Sequence, residues 1–294
     1  MSTINHSDWN PVQTKIASVL GTPDGTTADL GYNTSVTSSQ VATGATITGA
    51  QWNDLRTDIN KAYTHQTGSA SDLTTRAAGV KISAADLTTI SARATTAYNN
   101  RNTFDNGQLT YVAGPGQNIN GTWYDVGSLS FGTITFASNA AYRGFWNGGG
   151  KLVFSGSRSG GSATSQNQAW TNLLANMGSI VLTRTGMFQT GQNWNGTFYN
   201  SFGSGGVYGT SATTLGGVEA FRIYSQDTNY TPNFVTIFLN HDNADVNLRT
   251  SITVLMNYSD SHVGLGGGPD YVDGNTIGRC DIYYPYATAK PNNY

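Results

Sequence analysis

Hydrophobic residues recur with helical spacing in three stretches of the first hundred residues, and each stretch begins in the same way. In the segment ITGAQWNDL, Thr48 is followed three positions later by Gln51, which is the spacing of a capping box. Ile47 and Trp52 stand where a hydrophobic staple would fix the direction of the chain. The apolar residues that follow lie on one face of a helix, so the pattern predicts a helix that starts after Thr48.

The same template fits two other segments. In one of them Ser83 is the predicted N-cap and Asp86 its partner. At the beginning of the chain Asn5 is the predicted N-cap, and Asp8 is the acidic residue of the first turn. We therefore predict three similar helices, each with a narrow apolar stripe that needs a partner for its burial. The predicted stripe consists of Trp9, Val12, Ile16, Trp52, Leu55, Ile59, Leu87, Ile90 and Tyr98.

After Gly107 the pattern changes to short alternating or β-branched runs that are separated by glycine and asparagine turns. Such spacing is typical of an all-β sandwich. The predicted strands are 122–126, 129–136, 151–154, 179–183, 218–224, 233–239, 251–257 and 279–284. One helical stretch interrupts them, with Ser165 as its predicted N-cap, Gln168 as the partner and Gly178 at its end.

The predicted fold class is therefore α+β and multidomain. We expect a helical oligomerisation or docking module at residues 1–106, followed at residues 107–294 by a mainly antiparallel β-sandwich that carries one helix. A fragment of residues 107–294 is then expected to fold as a monomer.

Composition and charge restrict the classes of function. The 294 residues include 15 basic and 17 acidic ones, and 11% are charged, compared with about 25% in typical globular domains. A basic stripe is missing from the sequence, which predicts no nucleic-acid binding. Apolar runs are too short to span a membrane and the first residues lack a secretory pattern, so we expect no membrane insertion and no Sec-type export. The single cysteine, Cys280, has apolar neighbours and is predicted to be a buried thiol.

Sequence motifs for catalysis are not found. The glycines before Lys151 lack the leading glycine and the following Ser or Thr of a phosphate-binding loop. A Gly-x-Ser-x-Gly elbow is missing, and one cysteine excludes a cysteine-based zinc site. We therefore predict that the protein is not an enzyme, and we assign no catalytic, cofactor-binding or metal-binding residue.

Two Asp-rich segments leave alternatives open. Residues 240–245, NHDNAD, lie between two predicted strands. They can be a calcium loop, a pair of aspartates for glycoside hydrolysis, or a hairpin loop of turn-forming residues. Asp260, His262, Asp270 and Asp273 surround a glycine-rich segment and have the same alternatives. The composition of both segments favours turns.

Aromatic residues in Gly- and Asn-rich loops suggest a different chemistry, which is stacking on sugar rings. The candidates for glycan contact are Trp123, Trp194, Tyr199 and Tyr208. The alternative is that these side chains fill the core or form cross-strand pairs, as most aromatic residues of β proteins do.

Four segments resemble virion structural and tail-fibre proteins of tailed phages that infect cyanobacteria. GFWNGGGKLVFSGSRSGG (144–161) and AWTNLLANMGSIVL (169–182) resemble one segment of these proteins, and WNDLRTDINKAYTHQTG (52–68) resembles their helical region. Residues 257–278 resemble their C-terminal strands. The resemblance implies a virion component, and it transfers no site residue because the shared motifs belong to packing and turns.

Together these observations predict a structural component of a fibre, neck or tail appendage in the virion. The partners expected are other virion proteins and further copies of the chain, with a trimer favoured for a fibre-like part. A receptor-binding module for host surface glycan is the alternative, and a glycan hydrolase is a third hypothesis.

Overall fold

The structure is a computed structural model. It describes residues 4–23, 31–114, 116–208, 217–261 and 271–294. The described residues form six α-helices and two antiparallel sheets with 11 strands in total. The predicted fold class, N-terminal helices followed by a mainly antiparallel β-sandwich, is confirmed.

Contacts along the chain divide it into two compact units. The helical unit consists of residues 1–110, 140–150 and 284–290. The β unit consists of residues 111–139, 151–283 and 291–294. The sequence places a boundary at residue 106, whereas the contacts assign two later segments to the helical unit.

The first three helices begin where the capping boxes predict. They are α1 (His6–Leu20), α2 (Gly49–Thr67) and α3 (Ala84–Asn99). Their N-caps are Asn5, Thr48 and Ser83, and in each case the cap side chain and the partner side chain exchange hydrogen bonds with the opposite backbone. All three predicted caps are confirmed.

The three helices run parallel. Ile4, Ile47 and Ile82, each next to an N-cap, line one groove at the same end of the unit. Farther along, Lys15 Nζ of α1 donates to Thr95 Oγ1 of α3 at 2.9 Å. Because the helices are parallel, each connecting segment must return along the helix that it follows.

Matching Trp-Asn pairs hold the two return segments. On α1, Asn10 exchanges two hydrogen bonds with the backbone of Val41, at 3.0 and 2.8 Å. On α2, Asn53 exchanges two with the backbone of Arg76, both at 2.9 Å. The indole of the preceding residue, Trp9 or Trp52, also donates to a carbonyl of the same segment. The first two helices are therefore structural repeats in their contacts as well as in their caps.

A helix that the sequence did not predict, α4 (Asn139–Asn147), belongs almost entirely to the helical unit. Its buried aromatic side chains include Phe145 and Trp146, whose rings meet edge to face at 4.7 Å. Gly144 permits close approach, because a Cβ there would meet Asn33. The short helix has only nine residues and includes a glycine, so its sequence pattern is weak.

The β unit contains two sheets. Its strands are β1 (Thr110–Val112), β2 (Gly116–Asn120), β3 (Asp125–Thr135), β4 (Lys151–Ser159), β5 (Ser179–Leu182), β6 (Met187–Thr190), β7 (Thr197–Phe198), β8 (Val218–Tyr224), β9 (Phe234–His241), β10 (Ser251–Asp260) and β11 (Asn275–Tyr284). One sheet has the order β1-β11-β4-β5-β6, with β2 also paired to β11. The five-stranded sheet has the order β3-β10-β9-β8-β7.

The inner faces of the two sheets contact each other. A Cβ on Gly278 of β11 would lie 2.7 Å from Leu129 of β3 and 3.0 Å from the hydroxyl of Tyr258 on β10. Helix α5 (Ser165–Met177) adds Trp170, whose ring lies 5.8 Å from that of Tyr258. These contacts build the core of a β-sandwich.

The predicted cap of α5 is wrong by one residue. Thr164, and not Ser165, accepts the hydrogen bond from Asn167 N at 3.2 Å. The cause is the run of neighbouring hydroxyl residues, of which either could satisfy the spacing rule.

A short helix, α6 (Phe202–Gly205), follows in the β unit. Among the described helices we find none with the length and apolar character that spanning a bilayer requires.

Candidate functional site

The predicted assembly stripe lies inside the helical unit. Seven of its nine residues are buried, and Leu87 and Tyr98 are partly buried against the same core. The three stripes bury one another because parallel packing brings them together. Trp9, Val12, Ile16, Trp52, Leu55, Ile59, Leu87, Ile90 and Tyr98 are therefore core residues of a single chain, and a docking surface has to use other side chains.

The loop aromatics have different environments. Trp123 is 7% exposed, its ring lies 5.0 Å from that of Trp170, and its indole N–H donates to Thr276 Oγ1 at 3.3 Å. The expectation that Trp123 contacts glycan is therefore wrong, because its ring faces are covered by the core. Three other candidates, Trp194, Tyr199 and Tyr208, are half-buried.

The segment 240–245 forms a turn whose polar groups bind the chain itself. The carboxylate of Asp242 accepts hydrogen bonds from Thr250 N, at 2.9 and 3.1 Å, and from Thr250 Oγ1 at 2.6 Å. Asp245 accepts from Asn247 N at 2.9 Å. Beneath the turn, the buried guanidinium of Arg249 donates to backbone carbonyls. These bonds explain the aspartates as turn residues.

Charge and burial act together on His241 at the start of this turn. Burial, as the larger cause, and the nearby positive charge of Arg249 together lower the pKa of His241 to about 3, against the opposing effect of Asp242. Since a neutral imidazole is favoured at this position, protonation of His241 opposes folding.

The second Asp-rich segment is only partly described, since His262 and Asp270 lie outside the described residues. Asp273 accepts hydrogen bonds from Ser162 N at 3.0 and 3.1 Å and from Ser162 Oγ at 2.9 Å. These bonds, first of all that from the Ser162 hydroxyl, lower the pKa of the Asp273 carboxyl. Within the described ranges, no group of three or more His, Cys, Asp and Glu residues is arranged to hold a metal ion.

A cluster that the sequence did not single out lies on the outer face of the five-stranded sheet. We use "outer face" for the side chains of this sheet that alternate with the buried inner ones. On β8, β9 and β10 the outer face includes Glu219, Arg222, Tyr224, Phe234, Thr236, Phe238, Asn240, Thr253, Leu255 and Asn257. Cross-strand pairing aligns Tyr224 with Phe234, and Arg222 with Thr236 and Asn257.

Arg222 of β8 contacts an acidic and two aromatic side chains of this face. The guanidinium of Arg222 lies 4.5 Å from the ring centre of Phe234, donates to Glu219 Oε2 at 2.6 Å and donates to the Tyr224 hydroxyl at 2.9 Å. Burial alone would lower the pKa of Arg222, but its hydrogen bonds to Tyr224 and Glu219 outweigh burial and raise the pKa. Tyr224 itself remains 47% exposed. The ion pair of Arg222 and Glu219 therefore lies against the rings of Tyr224 and Phe234, of which the Tyr224 ring is exposed.

Several polar atoms of the outer face lack partners. Thr236 Oγ1, Asn240 Oδ1, Asn257 Oδ1 and Glu219 Oε1 are buried and have no hydrogen-bond partner among the described residues. Such atoms are uncommon in native proteins, and they mark strain or a place where a ligand or water binds. The outer face therefore combines one exposed aromatic ring with unpaired polar atoms that are enclosed below its surface.

A β-bulge explains why sequence reasoning missed this cluster. The register of β8 against β9 shifts between Glu219 and Phe221. Two residues of β8 therefore lie opposite one residue of β9. As a result, Glu219 and Arg222 face the same side of the sheet although they are three positions apart. Simple alternation would have placed these two side chains on opposite faces.

No protein-family model, no curated protein and no solved structure matches the chain. Function is therefore inferred from the contacts of the residues themselves.

Proposed function

We propose that the protein is a non-catalytic structural component of a tailed-phage virion, in a fibre, neck or tail appendage. The observation that carries the proposal is the place of the segments that resemble virion proteins. Residues 52–68 fall mainly within α2, and residues 169–182 contain most of α5 and all of β5. The resemblance thus covers elements that build both compact units, which supports a shared structural role.

The acidic residues of the two Asp-rich segments bind groups of the chain itself. The carboxylates of Asp242, Asp245 and Asp273 accept hydrogen bonds from their own loops or from neighbouring ones. Turn formation accounts for these acidic residues. We expect no turnover of glycan, which release of reducing ends by the purified protein would contradict.

Assembly into a homo-oligomer needs a surface other than the predicted stripe. Leu248 and Val80 are 60% and 50% exposed and are available in the two units. Light scattering after size-exclusion chromatography of the full chain tests the oligomer, for which a trimer is the expected state. A monomer at all protein concentrations would contradict self-assembly.

The proposal of a virion component is tested on purified particles. Antibodies raised against the full chain, followed by gold-labelled electron microscopy, are expected to mark a fibre, the neck or the tail. The matched control uses antibodies depleted on the purified protein. Label confined to host debris, with particles unlabelled and no peptides of the chain in their mass spectra, would overturn the virion role.

A second candidate function is attachment to host surface glycan. The observation that favours it is the exposed ring of Tyr224 on the outer face. Attachment proteins are themselves virion components, so this role is compatible with the first.

A further inference from the structure

We propose that residues Pro291–Tyr294 cover the free edge of strand β3, and that this cover keeps the edge from pairing with β3 of a second copy of the chain. Both the four residues and β3 belong to the β unit. We call Pro291–Tyr294 the edge cover. The inference goes beyond the structural role proposed above and does not depend on it.

Strand β3 lies at one end of the five-stranded sheet, where it pairs among the described strands with β10 alone. The open side of such a strand presents backbone N–H and C=O groups that a further strand can bind. At the end of β3, Phe136 N donates to Thr250 O at 2.9 Å, on the side of β10. Because these groups alternate in direction along a strand, those of Thr135 and Thr133 point away from β10.

The edge cover binds these outward-pointing groups. Asn292 N donates to Thr135 O at 2.7 Å. The side-chain amide of Asn293 accepts from Thr135 N at 3.2 Å and donates to Thr133 O at 2.7 Å. One asparagine side chain thus binds an N–H and a C=O that a neighbouring strand would otherwise bind.

Two further contacts cover the rest of the β3 edge. The Tyr294 hydroxyl donates to Phe131 O at 3.5 Å. In the first half of β3, the side chain of Ile119 from β2 lies beside Gly127, where it would meet an added Cβ. The part of the edge that depends on the edge cover is therefore 131–135.

The sequence of this strand favours a second copy of the chain as the partner of an open edge. Residues 128–136, SLSFGTITF, include no charged residue and no proline, and they end in four β-branched or aromatic residues. Segments of this composition pair with identical segments when they are exposed. Charged side chains and proline, which protect many edge strands, are missing here, and the positive φ of Gly132 distorts only one point of the edge. The edge cover supplies the protection that the strand itself lacks.

The first test is the mass of the full-length protein and of two variants, measured by light scattering after size-exclusion chromatography over a range of protein concentrations. Asn293→Ala removes two of the four described hydrogen bonds of the edge cover. The population of uncovered edge should rise about tenfold or more. Asn293→Ala, and a chain that ends at Pro291, should therefore form species heavier than the unchanged protein, with a mass that increases with concentration.

Amide hydrogen exchange locates the contact between the copies. Thr135 N donates to the Asn293 side chain in the covered edge. In dilute Asn293→Ala this N–H should exchange about tenfold faster than in the unchanged protein. At high concentration its protection should return, because a carbonyl of the second copy then accepts the hydrogen bond.

A matched control and a rescue accompany the test. Asn292 is an exposed neighbour that contributes its backbone N–H to the described bonds, so Asn292→Ala should behave as the unchanged protein does. Thr133→Lys, added to Asn293→Ala, places like charges on the two edges that would meet, and it should restore the mass of the unchanged protein. Circular dichroism melting establishes that each variant is folded; since Asn293 is exposed, its replacement leaves the core intact.

Four outcomes would overturn the proposal. The first is an unchanged mass of both variants at every concentration. The second is a heavier species in which the Thr135 N–H stays unprotected, because the copies then meet elsewhere. The third is a heavier species that persists when Thr133→Lys is added. The fourth is faster exchange of the Thr135 N–H without a heavier species, which would mean that the open edge does not accept a second copy. Labelling of particles is independent of all four outcomes.

Discussion

Replacement of Asn53 by alanine should selectively weaken the helical unit. The Asn53 side chain makes two hydrogen bonds to the backbone of Arg76, both of 2.9 Å, and alanine makes neither. Two bonds at about 1 kcal/mol each give a loss of about 2 kcal/mol. Alanine recovers about 0.5 kcal/mol through its higher helix propensity. The expected net loss in the free energy of unfolding is therefore about 1.5 kcal/mol. The loss is larger if water does not replace Asn53 as the partner of the Arg76 backbone N–H and C=O.

The repeat supplies a matched control at the corresponding position of α3. Thr88 lies five residues after the N-cap Ser83, as Asn53 does after Thr48, but it is exposed and bonds only locally, to Ala84 O at 3.0 Å. Thr88→Ala should change stability by less than about 0.5 kcal/mol, because surface substitutions of this kind have small effects.

Equilibrium urea unfolding followed by tryptophan fluorescence is the appropriate assay. Trp52 Nε1 donates to Thr74 O at 3.2 Å in the same return segment, so the contribution of Trp52 to the emission of the six tryptophans reports on the affected contacts. Asn10→Ala on α1 should show a loss similar to that of Asn53→Ala. Equal stability of Asn53→Ala and Thr88→Ala would refute the conclusion that the asparagine pairs hold the return segments.

Three further predictions concern the β unit. A Cβ on Gly114 would collide with the backbone oxygen of Cys280, so Gly114→Ala should cost about 3 kcal/mol or more. Gly116→Ala, with open space at the Cβ, should leave the melting temperature nearly unchanged. Thermal melts of the two variants compare these effects. Burial raises the pKa of the Cys280 thiol, so a thiol reagent should label it only at the rate of unfolding; rapid labelling in native buffer would contradict this. The pKa of His241, lowered to about 3 by burial, predicts stability that is complete above the unfolded pKa of about 6.5 and falls with pH below it. Between about pH 7 and pH 5 the loss should be about 2 kcal/mol greater than in His241→Asn, and parallel curves would argue against a buried neutral imidazole.

Local signals in the sequence were sufficient for the helix starts and for most strands. The caps Asn5, Thr48 and Ser83 were predictable because a capping box depends on residues three positions apart. The strands β8, β9 and β10 were predictable from β-branched and aromatic runs bounded by turn residues. The same local rule missed the cap of α5 by one residue, since adjacent hydroxyls satisfy it equally well.

Tertiary structure alone decided which surfaces are available for function. The sequence contained the stripe that includes Trp9 and Trp52, but only parallel packing of the helices showed that this stripe is buried within one chain. Trp123 is covered by Trp170, a partner far away in sequence. Glu219 and Arg222 share a face because the strand register shifts between Glu219 and Phe221. Burial, partners and register are long-range properties, so residue types and local spacing do not determine them.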